Sequence, residues 1–367
     1  MNSSVIVVPV DLGTRSYDIV MGAGVLQTAL TRLATALAGR HAMLVTADSL
    51  RERYAEPLAR DLGAGGFAVA LTSVPAGEGS KSAERAFALL DEFLSHGLDR
   101  RGIVIALGGG VIGDLAGFAA SIYMRGIALV QIPTTLLAQV DASVGGKVAV
   151  NHPRAKNLIG SFHQPRLVLI DPLTLRSLPA RELRSGLAEV IKHGVIADAS
   201  LFDFVEANLE ALLALDADAL LHVIRRSCEL KAGLVARDER DEIGARAVLN
   251  YGHTVGHALE AQSYGKLTHG EAVALGMAAA ARIARRLGIV EDEFVLRQDL
   301  LLERAGLPTR LGADAGTSFD ALLEAMQRDK KTEAGQFNFV LPERFGSATL
   351  QRDVSPATVR AALEELA

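Results

Sequence analysis

An α/β N-terminal domain with a mostly parallel sheet, followed by a mainly α-helical C-terminal domain, is the fold class that three features of this sequence predict. Short β-branched runs alternate with amphipathic helical periods through the first half, the pattern of successive βαβ units. From about Leu178 onward the apolar period stays near 3.6 almost without interruption. The 367 residues also exceed what one core usually fills, so two domains are the default.

Taken in order, residues 41–47 read as a strand, 50–62 as a helix, 67–71 as a strand, 82–94 as a helix and 102–107 as a strand. A glycine cluster follows, then a helical pattern over 114–122 and an apolar run over 167–170. Pro172 and Pro179 bracket a polar turn after that run, which puts the domain break there: residues 1–177 against 178–367. Beyond it, 201–215, 217–235, 270–287 and 293–305 have helical periods, and only 337–341 suggests a late strand. With two domains, the cleft between them is the expected active site.

Composition narrows the function. A hydrophobic content of 49% suffices for two cores, and a net charge of -5 excludes nucleic acid and an anionic membrane surface as expected partners. An anionic substrate must then be met by a local cluster of cations. The single cysteine, Cys228, makes no intrachain disulfide, and Met1-Asn-Ser-Ser lacks a basic n-region, so a cytoplasmic enzyme is expected. The alanine-rich stretch 272–284 is too short to span a bilayer.

Gly108, Gly110 and Gly113 satisfy G-x-G-x-x-G between a predicted strand and a predicted helix, where backbone N–H groups can approach a pyrophosphate. This makes the first domain Rossmann-like and NAD its expected cofactor. The arrangement departs from the usual fingerprint, because several strands precede the glycines. The ribose-binding candidate, Asp48, lies upstream after 43–47, where capping a helix is its ordinary role. A second polar loop, PAGEGSKS at 75–82, carries Glu78 and Lys81 before a helix that Ser80 or Ser82 would cap. Gly145-Gly146-Lys147 lacks the spacing of a phosphate-binding P-loop.

The second domain carries histidines in glycine-rich segments, NYGHTVGH at 250–257 and HGE at 269–271, and a Glu in GLAEVIKH at 186–193. His253 and His257, four apart, would share a helix face; His269 opens another helix; Glu189 comes from a third element. Any three of Glu189, His253, His257 and His269 make a ligand set for a catalytic divalent metal, and spacing alone leaves the choice open. His193 reads as structural. Lys147, Lys156, Asn157, Lys192, Lys231, Arg246, Lys330 and Lys331 surround these candidates in the sequence, and Lys192 sits one helical turn from Glu189.

Together the pieces PAGEGSKS, GGGVIGDLAGF, YMRG, QIPTTLLAQVDASVGGKVAVN, KNLIGSF, GLAEVIKHG, ELKAGLVARDERDEIGAR, LNYGHTVGHALE, HGEAVALGM and RDKK resemble the 3-dehydroquinate synthase family, in order from Pro75 to about Leu341. The resemblance implies a metal, usually zinc with cobalt as a substitute, held by Glu189, His253 and His269, leaving His257 to face the substrate. It implies NAD contacts from Glu78, Lys81, Gly109, Gly110, Val111, Asp114, Thr134 and Thr135, with Lys147 and Lys156 nearby. The first domain would therefore bind NAD, and the second the metal and substrate. Lys147, Asn157, Asn250 and His257 would meet the substrate phosphate, Lys231 and Arg246 its carboxylate, and Asp141, Lys192 and Glu242 its hydroxyls or metal-bound part. Arg125 matches an arginine lent across a homodimer interface, and one of Lys330 and Lys331 would bind substrate.

The implied activity is a phosphate-eliminating carbon–oxygen lyase of aromatic amino acid biosynthesis. It turns 3-deoxy-D-arabino-heptulosonate 7-phosphate, a small anionic sugar phosphate, into 3-dehydroquinate. Transient NAD-dependent oxidation, phosphate elimination, re-reduction and aldol closure would follow one another, so NAD is regenerated in each turnover. The alternatives are a sibling sugar-phosphate cyclase of the 2-deoxy-scyllo-inosose or valiolone type, whose substrates lack the carboxylate, and a metal-dependent polyol dehydrogenase. A non-catalytic NAD-binding regulator is a third, opposed by candidates for every catalytic role.

Overall fold

A computed structural model describes residues 5–263, 265–311, 319–328 and 337–367. The chain divides into two compact units: Met1–Leu178 together with Leu220–Arg240, and Pro179–Ala219 together with Asp241–Ala367.

In the first unit, strands β1 (Ile6–Val10), β2 (Tyr17–Met21), β3 (His41–Ala47), β4 (Ala68–Val74), β5 (Ile103–Gly108), β6 (Ala128–Pro133) and β9 (Leu167–Ile170) build a seven-stranded sheet. Their order is β1-β2-β9-β6-β5-β3-β4, and only β1 pairs antiparallel with its neighbour. A separate antiparallel hairpin, β7 (Lys147–His152) and β8 (Ala155–Phe162), comes between β6 and β9 in the chain. Helices α1 (Ala29–Ala36), α2 (Glu56–Ala64), α3 (Ala83–Ser95) and α4 (Gly110–Ile122) complete the βαβ connections.

The interior strand β5, IVIALG, is buried along its whole length, as a parallel strand covered on both faces must be. Side chains alternate between two cores: Met43, Val45, Val104 and Ala106 pack with Ala86, Leu89 and Leu115 on one face. Leu44, Ile103 and Ile105 pack with Leu33, Leu58 and Leu62 on the other. Ser82 caps α3, its hydroxyl accepting from Arg85 N at 3.2 Å, whereas Ser80 donates to the Pro75 carbonyl at 2.6 Å.

The second unit contains α5 (Ala180–Ala197), α6 (Ala199–Leu213), α8 (His253–Gln262), α9 (His269–Arg286), α10 (Asp292–Arg304), α11 (Phe319–Arg328) and α12 (Pro356–Glu364), with a hairpin of β10 (Phe337–Arg344) and β11 (Ser347–Val354). The late strand therefore has an antiparallel partner that the apolar pattern does not show. Helix α9 is the axis of this unit, buried almost continuously from Gly270 to Ala284 and packed by α5, α8, α10, α12 and β10. Its run of alanines makes it thin, so its neighbours approach closely.

The remaining helix, α7 (Ala217–Arg237), belongs mainly to the first unit. There the Cys228 thiol donates to the Gln139 carbonyl at 3.3 Å and Lys231 reaches Asp141. The second half thus lends one segment, 220–240, to the first unit, beyond what a single boundary at 177 and 178 describes.

Candidate active site

Two polar clusters carry the candidate chemistry, one in each unit. The first surrounds the glycine turn. β5 ends at Gly108 and α4 begins at Gly110. Gly109 is the N-cap of α4 and, having no side chain, makes no capping hydrogen bond to the first-turn N–H groups. A Cβ on Gly109 would lie 2.9 Å from Thr135 Cγ2, so a side chain there would push the Thr135 methyl, just past β6, aside. Thr134 is buried and donates its backbone N–H to the Gly108 carbonyl at 2.9 Å.

Beside this turn Lys81 is nearly buried, with Nζ 2.5 Å from Asp114 Oδ2 and a hydrogen bond to Asn157 Oδ1. Burial raises the Asp114 pKa, and the Lys81 ammonium only partly offsets this. Asn151, absent from the sequence-derived candidates, ties the cluster together. Its amide donates to Glu78 Oε1 at 2.7 Å, its side-chain oxygen accepts from Asn157 N at 2.9 Å, and its backbone N–H donates to the Lys81 carbonyl at 2.8 Å. Asn157 holds a left-handed φ of 54°, unusual for a residue other than glycine.

Lys147 opens β7 and Lys156 lies on β8, both exposed; Gly110 and Val111 start α4, partly exposed. Asp48 is exposed at the end of β3 and makes no capping hydrogen bond. Lys231 Nζ lies 2.5 Å from both the Asp141 carboxylate and its backbone carbonyl. Arg125 is exposed just past α4, at φ 70°.

The second cluster is built where α8 and α9 begin beside the middle of α5. Glu189, on α5, is fully buried, and its Oε1 lies 3.7 Å from His253 Nε2 and 3.5 Å from His269 Nε2. The ligand atoms of Glu189, His253 and His269 all fall within 4.8 Å of one another. Two donors each about 2.1 Å from a shared tetrahedral cation stand roughly 3.4 Å apart, so this spacing fits a divalent ion. Neither oxygen of Glu189 completes a well-directed hydrogen bond, although Lys192 Nζ stands 2.5 Å from Oε2.

The outer nitrogens of both imidazoles are engaged: His253 Nδ1 with the Tyr251 carbonyl at 3.1 Å, and His269 Nδ1 with Glu260 Oε2 at 3.4 Å. Such outer partners fix which nitrogen faces inward. Lys192 also donates to the Leu249 carbonyl at 2.9 Å.

The electrostatics describe a place that requires positive charge. Burial acts to raise the Glu189 pKa, yet Lys192, His269 and His253 hold it well below the usual carboxylate range. Burial and then the Lys192 charge push His253 down to about 3. Burial opposes protonation of His269 too, but Glu189 and Glu260 raise it to about 9. At neutral pH a proton on His269 thus supplies the charge that a cation would bring.

Side-chain caps and close backbone packing fix these helices. Thr268 caps α9 in a reciprocal box with Glu271, and Arg181 of α5 grips both oxygens of Glu271 at 2.8 and 2.7 Å. A Cβ on Gly276 would lie 1.8 Å from the Gly252 carbonyl oxygen, so α9 and the start of α8 touch through backbone.

His257 lies on α8 with its ring 5.0 Å from that of His253, exposed and outside the ligand-distance group. Arg246 is buried, and Glu242 and Asn250 are exposed on the segment leading into α8. His193 is buried. Lys330 and Lys331 lie outside the described residues.

Comparison with known proteins agrees along the chain. Residues 71–185 match the family model of the 3-dehydroquinate synthase N-terminal region, and 186–332 that of its C-terminal region. A 3-dehydroquinate synthase of Desulforamulus reducens is 49% identical over 359 residues, 98% of this chain and 99% of that protein. Among solved structures, a 2-deoxy-scyllo-inosose synthase complexed with carbaglucose-6-phosphate, NAD+ and Co2+ superposes with a TM-score of 0.90 at 25% identity, covering 99% of this chain and 100% of that one. A 2-epi-5-epi-valiolone synthase from Streptomyces hygroscopicus, with NAD+ and Zn2+ bound, gives 0.87 at 32% identity, covering 95% and 96%. With nearly half its residues shared across almost the whole length of such a relative, the chain belongs to the 3-dehydroquinate synthase family.

Proposed function

We propose that this chain is an NAD- and divalent-metal-dependent carbon–oxygen lyase of the cytoplasm. It converts 3-deoxy-D-arabino-heptulosonate 7-phosphate into 3-dehydroquinate and phosphate. The observation that carries the reading is the buried Glu189 carboxylate facing the Nε2 atoms of His253 and His269 at ligand spacing, in a chain of this family. Those three residues would hold the metal, zinc or cobalt. When bound, it would supply Lewis acidity at the reacting alcohol, while NAD would supply a reversible hydride acceptor.

The chain's own residues do the rest by holding and orienting. The glycine turn, with Gly109, Gly110 and Val111, offers first-turn N–H groups to the NAD pyrophosphate. Thr134, Thr135, Glu78, Lys81 and Asp114 line its approach, joined by Asp48, Lys147 and Lys156. Lys147, Asn157, Asn250 and His257 hold the substrate phosphate, which itself takes the neighbouring carbon-6 proton as it leaves. Arg246 and Lys231 anchor the carboxylate, the guanidinium by a two-pronged bond. Asp141, Lys192, Glu242 and one of Lys330 and Lys331 meet the remaining substrate oxygens. For Lys81, Lys231 and Asn157 this means exchanging the intramolecular partners described above.

The same reading makes the chain a homodimer that lends Arg125 to its partner's site. Ser161 donates to Ser121 at 2.7 Å, joining β8 to the end of α4. On β8 and just past α4, Ile122, Met124, Leu158, Ile159 and Phe162 are 37–53% exposed, apolar side chains that a second copy would cover in part. Among the described residues no helix is long and apolar enough to cross a membrane.

Incubating the protein with the heptulosonate phosphate and substoichiometric NAD tests the activity. Many phosphates released per NAD, with no lasting NADH absorbance, is the expected result. A stoichiometric rise in NADH establishes a polyol dehydrogenase instead. Phosphate release only from a sugar phosphate lacking the carboxylate establishes a sibling cyclase.

A further inference from the structure

We propose that Glu260 is a positioning residue for the metal centre, fixing His269 so that its Nε2 faces the cation; the inference rests on the metal reading of Glu189, His253 and His269. Glu260 comes seven residues after His253 on α8, two turns along the same helix face. Helix α8 therefore supplies one ligand and the clamp on another. The Glu260 carboxylate lies 3.4 Å from His269 Nδ1 with 16% of its side chain exposed, on the side of the ring away from Glu189.

A neutral imidazole that presents its Nε2 lone pair must carry its hydrogen on Nδ1, and that hydrogen needs an acceptor. Glu260 is placed to accept it. His253 meets the same requirement through the Tyr251 backbone carbonyl, which no side-chain substitution at that position removes. The two histidines are thus oriented by different means, and only that of His269 depends on a side chain. A carboxylate acceptor also adds negative charge close to the cation, making the imidazole a stronger donor.

The test uses full-length protein, wild type, Glu260→Ala and Glu260→Gln, stripped of metal and titrated with Zn2+ against a chromophoric chelator. Glu260→Ala should weaken zinc binding roughly 10–100-fold. Glu260→Gln, whose amide oxygen still accepts the Nδ1 hydrogen, should recover most of that loss. The metal-free variants lose only the pairing of Glu260 with protonated His269, so their thermal midpoints should fall by a few degrees at most, and the visible absorption of Co2+-loaded Glu260→Ala should shift. Wild-type zinc affinity in Glu260→Ala overturns the proposal. So does a loss of zinc affinity in Glu260→Gln as large as that in Glu260→Ala, because acceptance of the Nδ1 hydrogen at position 260 then does not account for the effect. A wild-type protein that takes up no divalent ion removes the metal reading itself, an outcome separate from an unaffected variant of a metal-binding wild type.

Discussion

In the helical unit the candidate ligands sit on helices held by a capping box and by close backbone packing of α9 on the start of α8. In the α/β unit the candidate nucleotide contacts sit mostly on loops and a hairpin that reach one another through side chains. Glu189, His253 and His269 face a common point, with both outer ring nitrogens engaged by other groups. Lys81, Asp114, Asn157, Asn151 and Glu78 are instead paired among themselves. The first arrangement is prepared for a ligand that is a point charge; the second must exchange partners to accept one with many polar atoms. Substitutions should therefore act in a nearly all-or-none way in the helical unit and by degrees in the α/β unit.

The largest effect that sharpens this contrast is expected from His269→Ala. Loss of a ligand should abolish stoichiometric metal and lower the specificity constant by roughly a thousand-fold or more, equivalent to several kcal/mol of transition-state stabilisation. His257→Ala should leave metal content unchanged. Metal analysis of both variants breaks the comparison if their behaviour is reversed.

A smaller effect is expected from Gly276→Ala, whose new methyl would fall 1.8 Å from the Gly252 carbonyl oxygen. Helix α9 cannot yield without moving His269, so stability should fall by about 3 kcal/mol and zinc affinity with it. Denaturant melts of the metal-free protein and zinc titration check this. Wild-type values for both would mean that backbone contact does not set the ligand spacing.

Least severe should be Lys81→Ala. The remaining polar atoms of its cluster can rearrange, so NAD binding should weaken only about tenfold, roughly 1.4 kcal/mol, as measured by fluorescence titration. A complete loss of NAD binding would make the α/β cluster as intolerant as the metal end and erase the contrast.

The sequence makes the two ends legible to different degrees. Strand β3 spans the stretch 41–47 that reads as a strand, because from Ala42 to Ala47 it is buried and nearly all apolar, as an interior parallel strand must be. The hairpin strand β8 is exposed at nearly every residue, so it has no inside-outside alternation to read. Helix α7 has an ordinary amphipathic period, and nothing in that period says which unit its face packs against. At the metal end, helical spacing leaves open which three of Glu189, His253, His257 and His269 join, whereas the ring that reaches Glu189 beside that of His253 belongs to His269, from the start of another helix. Spacing describes one helix at a time and carries no information on how two helices abut. Asn151 and Glu260 escape for a related reason. Asn151 meets Glu78 across 73 residues, and Glu260 resembles any polar residue on a partly exposed helix until His269 is placed beside it.

The contact between Gly276 and the Gly252 carbonyl also bears on how the protein matures. It is made of main chain alone and needs no ion to form, so α8 and α9 acquire their spacing as the unit folds. Tyr251, one residue before Gly252, is anchored in the same act, its hydroxyl donating to Gln298 at 2.6 Å while its carbonyl receives the His253 ring. A cation would then enter a finished cage instead of nucleating one, unlike small zinc domains that remain unfolded until metal arrives. With the metal-dependent activity proposed above, newly made chains would form a folded, unloaded pool that becomes active as metal is supplied.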